Sequence, residues 1–257
     1  MAEDREEIAV HALTPINQWG PVFYASLPRD AKTANGCGMN VEETRRRLLS
    51  ILWGRLVAID NPSSTIHSAS SSPAFPIQVD HDRLGKPHLL LGAHQEPGPA
   101  ISFSEGGGKV WAALCGDESN VGIDVADAVE FQGEYPFARV FHAEELQHAM
   151  NLTDGDLQKA AALLWSVKEA VVKALGCAFN LVAPLQIHVQ PAMEGNCRGT
   201  DDADVIAEDD EYIFPVRLSG KALARFPIGA GQSLWAHSFP QAETWLSIAV
   251  LQGESLE

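Results

Sequence analysis

A chain of 257 residues, 46% of them hydrophobic, is long enough to bury a substantial core as one large domain or two small ones. No apolar run approaches the length of a membrane span, and a formal net charge of −16 opposes binding to nucleic acid or to an anionic membrane surface. The opening MAEDREE is acidic where a secretory signal would be basic, so a cytoplasmic protein is expected.

In chain order, residues 8–13 (IAVHAL) read as a strand, followed by turn-rich sequence through the GCG around Cys37. Residues 41–59 carry Leu48, Leu49, Leu52, Trp53 and Leu56 at helical spacing, with Arg46 and Arg55 off that stripe. The arginines of this helix suit a solvated face and a phosphate site about equally. Arg45, Arg46, Arg47 and Arg55 are also the obvious basic patch for an acidic macromolecule. Residues 61–76, rich in Ser and Pro, read as an exposed loop, and LGKPHLLL after them as a turn leading into a strand. Residues 100–116 (AISFSEGGGKVWAALCG) form a predicted hairpin: a strand ending at Ser104, a glycine turn, and a second strand from Val110 to Leu114.

Residues 121–127 (VGIDVAD) are an apolar, strand-like run interrupted by Asp124, a carboxylate that is costly there unless a cation meets it. Residues 137–149 open a helix in which Glu145 is an exposed acid near an N-terminus, and His142 and His148 read as surface residues. The longest helical pattern spans residues 157–176, with Asp154 and Asp156 near its start and Gly176 at its end. On it Trp165, Glu169 and Lys173 share one face. Alone, that row is an exposed ion pair worth about 0.3 kcal/mol beside a core tryptophan. With Asp124, it becomes a way to hold Mg2+, a hard cation that takes one or two carboxylates plus water and substrate phosphates. Beyond it, LVAPLQIHVQP reads as a turn and a strand, and the acidic residues 196–211 as a mobile insertion. YIFPVRLSG, LWAHSF and TWLSIAVLQG are strands suited to an antiparallel sheet. Four scattered cysteines, Cys37, Cys115, Cys177 and Cys197, contain no CxxC pair, which indicates isolated thiols.

VGIDVAD followed by WSVKEAVVKALG resembles the bipartite GxD and WxxKExxxK signature of the 4'-phosphopantetheinyl transferases, in the Sfp-like branch. The resemblance implies an α+β fold: a monomeric pseudo-dimer of two similar lobes, each a small antiparallel sheet packed with helices, here residues 1–118 and 119–257. Coenzyme A would lie between the lobes, its phosphopantetheine arm passing to a serine of an acyl, peptidyl or polyketide carrier protein with release of 3',5'-ADP. By the same resemblance Asp124 and Glu169 hold Mg2+ on the pyrophosphate, while Lys173 neutralises the leaving diphosphate and Lys168 adds to the phosphate field. Arg46, Lys86 and Ser102 match positions that contact coenzyme A. The serine proton goes to Glu169, to Glu145 or to a metal-bound water.

Two positions depart from the pattern. Phe103 replaces a histidine that reaches the 3'-phosphate of coenzyme A, which implies a weaker or rearranged grip there. Ala126 replaces a further metal-binding acid, leaving Asp127, Glu105 or a water to complete the shell. A degenerate relative that binds coenzyme A or a carrier protein without transfer is the alternative these departures favour.

Overall fold

In a computed structural model of the chain, residues 8–13, 20–31, 38–60, 77–116, 119–193, 211–228 and 232–252 are described. The Ser/Pro-rich residues 61–76, Cys37, Cys197 and all but Glu211 of the acidic segment lie outside them. The fold is α+β, with two antiparallel sheets.

The first sheet contains β1 (Val10–Ala12), β2 (Val22–Pro28), β3 (Ile77–His81), β4 (Pro87–Leu91), β5 (Glu96–Gly106) and β6 (Lys109–Cys115), in the order β1-β2-β6-β5-β4-β3. Helix α1 (Val41–Asp60) leaves β2 and covers one face of this sheet. The second sheet, in the order β7-β11-β10-β9-β8, contains β7 (Asn120–Asp127), β8 (Ile187–Val189), β9 (Tyr212–Leu218), β10 (Leu234–Gln241) and β11 (Thr244–Leu251). Between β7 and β8 run α2 (Phe137–Val140), α3 (Ala143–Leu152) and α4 (Leu157–Ala174), and α5 (Gly220–Arg225) follows β9.

Period-2 alternation fixes the layering. On β6, Val110, Ala112 and Leu114 face α1, whereas Trp111, Ala113 and Cys115 face the second sheet. On β7, Val121, Ile123 and Val125 meet that apolar layer, and Ala126 turns to the core under α4. The result is four layers, α1, sheet, sheet and α4, with the two sheets sharing a largely apolar interface. A sheet buried on both faces shows no polar alternation, and for that reason β2 (VFYASLP), between Pro21 and Pro28, is not apparent from its sequence.

Two local features position the site. Gly107 and Gly108 both have positive φ, +58° and +72°, the type I' geometry of a two-residue hairpin, so β5 runs two residues beyond Ser104 before turning. At Gly122 a Cβ would collide with the Ala170 carbonyl and the Ala174 amide, so α4 lies almost on the backbone of β7. That close approach brings Asp124 and Lys173 together.

Residues 137–149 form two helices instead of one, broken where Phe141 and His142 are extended. Among the described residues, no helix is long and apolar enough to cross a membrane; Cys177 is a free thiol, and the Cys115 thiol donates to the Gly116 carbonyl at 3.2 Å.

Candidate active site

Helix α4 begins at Asp156, whose carboxylate accepts from the amides of Gln158 and Lys159, both at 3.0 Å. Its apolar side is buried, and Lys173 leaves it toward β7. The Lys173 Nζ donates to Asp124 Oδ1 at 2.7 Å, to the Ile123 carbonyl at 3.0 Å and to the Phe103 carbonyl at 3.3 Å. Phe103 belongs to the first sheet, and Ile123 and Asp124 to the second, so one ammonium ties the two together.

β7 is an edge strand, and its outward donors are satisfied by serines of β5. Ile123 N–H donates to Ser102 Oγ at 3.1 Å and Val125 N–H to Ser104 Oγ at 3.3 Å. The Ser104 hydroxyl in turn donates to Asp124 Oδ1 at 3.0 Å, so this carboxylate is held by a hydroxyl and an ammonium. Glu169, one turn before Lys173, is half-buried. Burial, then the charge of Asp124, push its carboxyl up to about 7 against the pull of Lys173, with Glu130 adding to the rise.

Two carboxylates from separate elements, within electrostatic reach and with one carrying a raised pKa, are a donor set that a small divalent cation relieves. The pair therefore fits Mg2+. The expected third acid is not supplied by the candidates named from sequence. Asp127 ends β7 and caps the following 3-10 turn, accepting from Val129 N–H at 3.0 Å. Glu105 is taken by Arg45 at 3.1 Å and Arg29 at 3.5 Å.

A cleft of about 170 Å³ lies beside Lys173, lined by Arg45, His81, Lys86, Ser102 and Phe103 among others. Lys86 donates to Asn120 Oδ1 at 2.7 Å, and burial lowers its pKa. Cys177 also lines the cleft, but burial pushes its thiol up to about 11, which leaves it protonated and unreactive at neutral pH. Arginine and lysine converge here on a chain whose net charge is −16.

Three residues expected at the site are absent from the lining of the cleft. Arg46 points to solvent, 67% exposed and 3.5 Å from Glu42, and its neighbour Arg45 lines the cleft. Helical phase was the available signal, because Arg45 extends the stripe of Leu49, Leu52 and Leu56 by one turn. Lys168 is fully buried and donates to Glu145 at 2.9 Å, to Pro184 O at 3.0 Å and to Val140 O at 3.2 Å, so it reaches no phosphate. Glu145 also accepts from Val189 N–H at 2.8 Å and His142 N–H at 3.1 Å; it is a buried anchor, out of reach of a carrier serine.

His142 is likewise half-buried, stacked on His188 with ring centres 4.4 Å apart. Among the described residues, His142, Glu145 and His188 bring potential metal ligands within 4.8 Å of one another, but the Lys168 ammonium already serves as the cation of that cluster. Ser104, Asn120 and His81 are contributors that sequence reasoning missed, and Arg45, read from sequence as part of a basic patch for an acidic macromolecule, lines the cleft.

Residues 120–215 match the family model of the 4'-phosphopantetheinyl transferase superfamily. The transferase-like region runs from the start of β7 into β9 and contains Asp124, Glu169 and Lys173; Arg45, Lys86 and Ser102 precede it. Among solved structures, the chain is similar to an ACPS-CoA complex from Chronobacterium ammoniagenes at 19% identity and a TM-score of 0.39, over 54% of this chain and 100% of that one. An apo-ACPS structure from the same organism aligns at 21% identity and a TM-score of 0.39, over 52% and 95% of the two chains. A search of curated proteins finds no match.

Proposed function

We propose that this chain is an Sfp-like 4'-phosphopantetheinyl transferase, acting as a holo-carrier-protein synthase. It moves the phosphopantetheine arm of coenzyme A to a serine hydroxyl of an apo carrier protein and releases 3',5'-ADP. The observation that carries this reading is Lys173 bridging the two sheets at Asp124 beside Glu169, on the wall of a cationic cleft.

The lobes are residues 1–118 and 119–257, and the substrate sits in the cleft between them. Arg45, Lys86 and Lys173 bind its phosphates, and the carbonyls of Ile123 and Phe103 keep the Lys173 ammonium aimed at the bridging diphosphate. Asp124 and Glu169 hold Mg2+, which supplies charge stabilisation to the diphosphate oxygens when bound. Glu169 accepts the serine proton, a role closed to Glu145 by its buried pairing with Lys168. Arg46, Arg47 and Arg55, exposed on α1, offer an acidic carrier a basic face. The enzyme works as a monomer in the cytoplasm.

The second reading, binding of coenzyme A without transfer, is favoured by Phe103 and Ala126. Incubation with coenzyme A, Mg2+ and several apo carrier domains, followed by intact-mass measurement, separates the two. The transferase adds one phosphopantetheine to a carrier. Unmodified carriers in every case, with coenzyme A bound, overturn transfer in favour of binding.

A further inference from the structure

Ser104 belongs to the first sheet, yet both hydrogen bonds of its hydroxyl cross to β7. Its Oγ accepts from the Val125 N–H at 3.3 Å and donates to Asp124 Oδ1 at 3.0 Å. A hydroxyl carries one hydrogen, so an N–H seated on a lone pair leaves that hydrogen for the carboxylate. Ser104 and Asp124 are both buried, at 7% exposure. Two residues further along β5, a Cβ on Gly106 would stand 2.8 Å from the Val125 Cβ, so the strands touch and the hydroxyl is kept on its partner.

The two oxygens of Asp124 are thereby made unequal. Oδ1 takes both donors, the Ser104 hydroxyl and the Lys173 ammonium at 2.7 Å, while Oδ2 makes no hydrogen bond among the described residues. The terminal torsion of an aspartate is broad and roughly two-fold, so Lys173 alone would accept either oxygen. A second donor on the same oxygen, arriving from the other sheet, fixes the choice. The side chain stays 10% exposed, and the carboxylate so held has a single oxygen to offer. Mg2+ takes single oxygens at about 2.0–2.1 Å in an octahedron, whereas the larger Ca2+ accepts a carboxylate through one oxygen or both.

We infer that Ser104 is a positioning residue that commits Asp124 to one-oxygen ligation and thereby sets a preference for Mg2+ over Ca2+. The inference rests on the metal reading of Asp124 and Glu169 and specifies its ion selectivity. Because Ser104 is on β5 and Asp124 on β7, that selectivity depends on the contact between the two sheets. Ser102 supplies the contrast: its Oγ accepts from the Ile123 N–H at 3.1 Å, a strand-to-strand bond of the same kind that leaves Asp124 untouched.

Mn2+, followed by its electron paramagnetic resonance signal, is the probe, with Mg2+ and Ca2+ as competitors and neither coenzyme A nor carrier present. A chain of net charge −16 holds ions at other acids as well, so the Mn2+ retained by Asp124→Asn is subtracted. Wild-type protein is expected to yield its Mn2+ to Mg2+ at a lower concentration than to Ca2+. Ser104→Ala is expected to weaken Mn2+ and Mg2+ binding by about tenfold to a hundredfold and Ca2+ binding by less than about threefold, narrowing the preference. Ser104→Cys, which keeps the volume with a weaker donor and serves if the alanine variant does not fold, should fall between the two. Ser102→Ala should keep the wild-type Mn2+ affinity and ion preference. A folded Ser104→Ala or Ser104→Cys protein with unchanged affinity and preference, or a Ser102→Ala protein that loses as much as Ser104→Ala, overturns the role of Ser104. Wild-type protein that binds no more Mn2+ than Asp124→Asn overturns the metal reading itself.

Discussion

Lys168 and Lys173 stand five residues apart on α4 and are ligated alike, each by one carboxylate and two backbone carbonyls. At about 100° per residue they leave the helix about 140° apart, and that angle gives them different environments. Lys168 goes into the core with Glu145, their side chains 0% and 6% exposed, and its carbonyl partners both lie within the second half of the chain. Lys173 emerges beside the cleft with a side chain 28% exposed, and its partners come from both sheets. Equal hydrogen-bonding therefore says nothing about role. Solvent access and the origin of the partners distinguish a core anchor from a substrate-facing cation.

The sharpest break of that comparison is removal of the acids beside Lys173. Asp124→Asn or Glu169→Gln is expected to lower transfer by about a thousandfold or more while the chain still melts cooperatively, as read by carrier modification and circular dichroism. Lys168→Met should do the reverse. Leaving Glu145 buried without its cation is expected to cost about 3–5 kcal/mol in urea denaturation, with transfer retained at temperatures where the variant is folded. Adding Glu145→Gln to Lys168→Met should return part of that loss, since the uncompensated charge is then gone.

Lys173→Met is expected to reduce transfer strongly and also to destabilise the fold, because it leaves the buried Asp124 carboxylate with only the Ser104 hydroxyl as a partner. The smallest effect is a pH slope. Glu169 is raised from 4.5 to about 7, so the folded state binds more protons than the unfolded one between those values, and stability in chelator should fall as pH rises across that window. Glu169→Gln should flatten the slope; an unchanged slope would place the titration elsewhere.

Much of this arrangement was legible before any coordinates. The 3.6-residue rhythm of α1 and α4, the glycine turn between β5 and β6, and the carboxylate of Asp124 inside the apolar run of VGIDVAD each carry a local physical signal. What escaped depends on pairings distant in sequence. Lys168 reads like any helix lysine until Glu145 and the Pro184 carbonyl are seen to close around it. Ser104 reads as the end of a strand until it meets Asp124. The choice between Arg45 and Arg46 turned on helical phase, and the resemblance around Leu48 and Leu49 favoured Arg46, which points to solvent while Arg45 lines the cleft. The strand β2 lacked alternation because both of its faces are covered.

The most direct test counts two products of one reaction with coenzyme A, Mg2+ and an apo carrier domain that accepts the arm: carrier serines modified and 3',5'-ADP released. With wild-type protein the two should rise together in a one-to-one ratio, and with Glu169→Gln neither should appear. Modification at the wild-type rate by Glu169→Gln, or 3',5'-ADP released without modified serine, would contradict a transfer centre built on Asp124, Glu169 and Lys173.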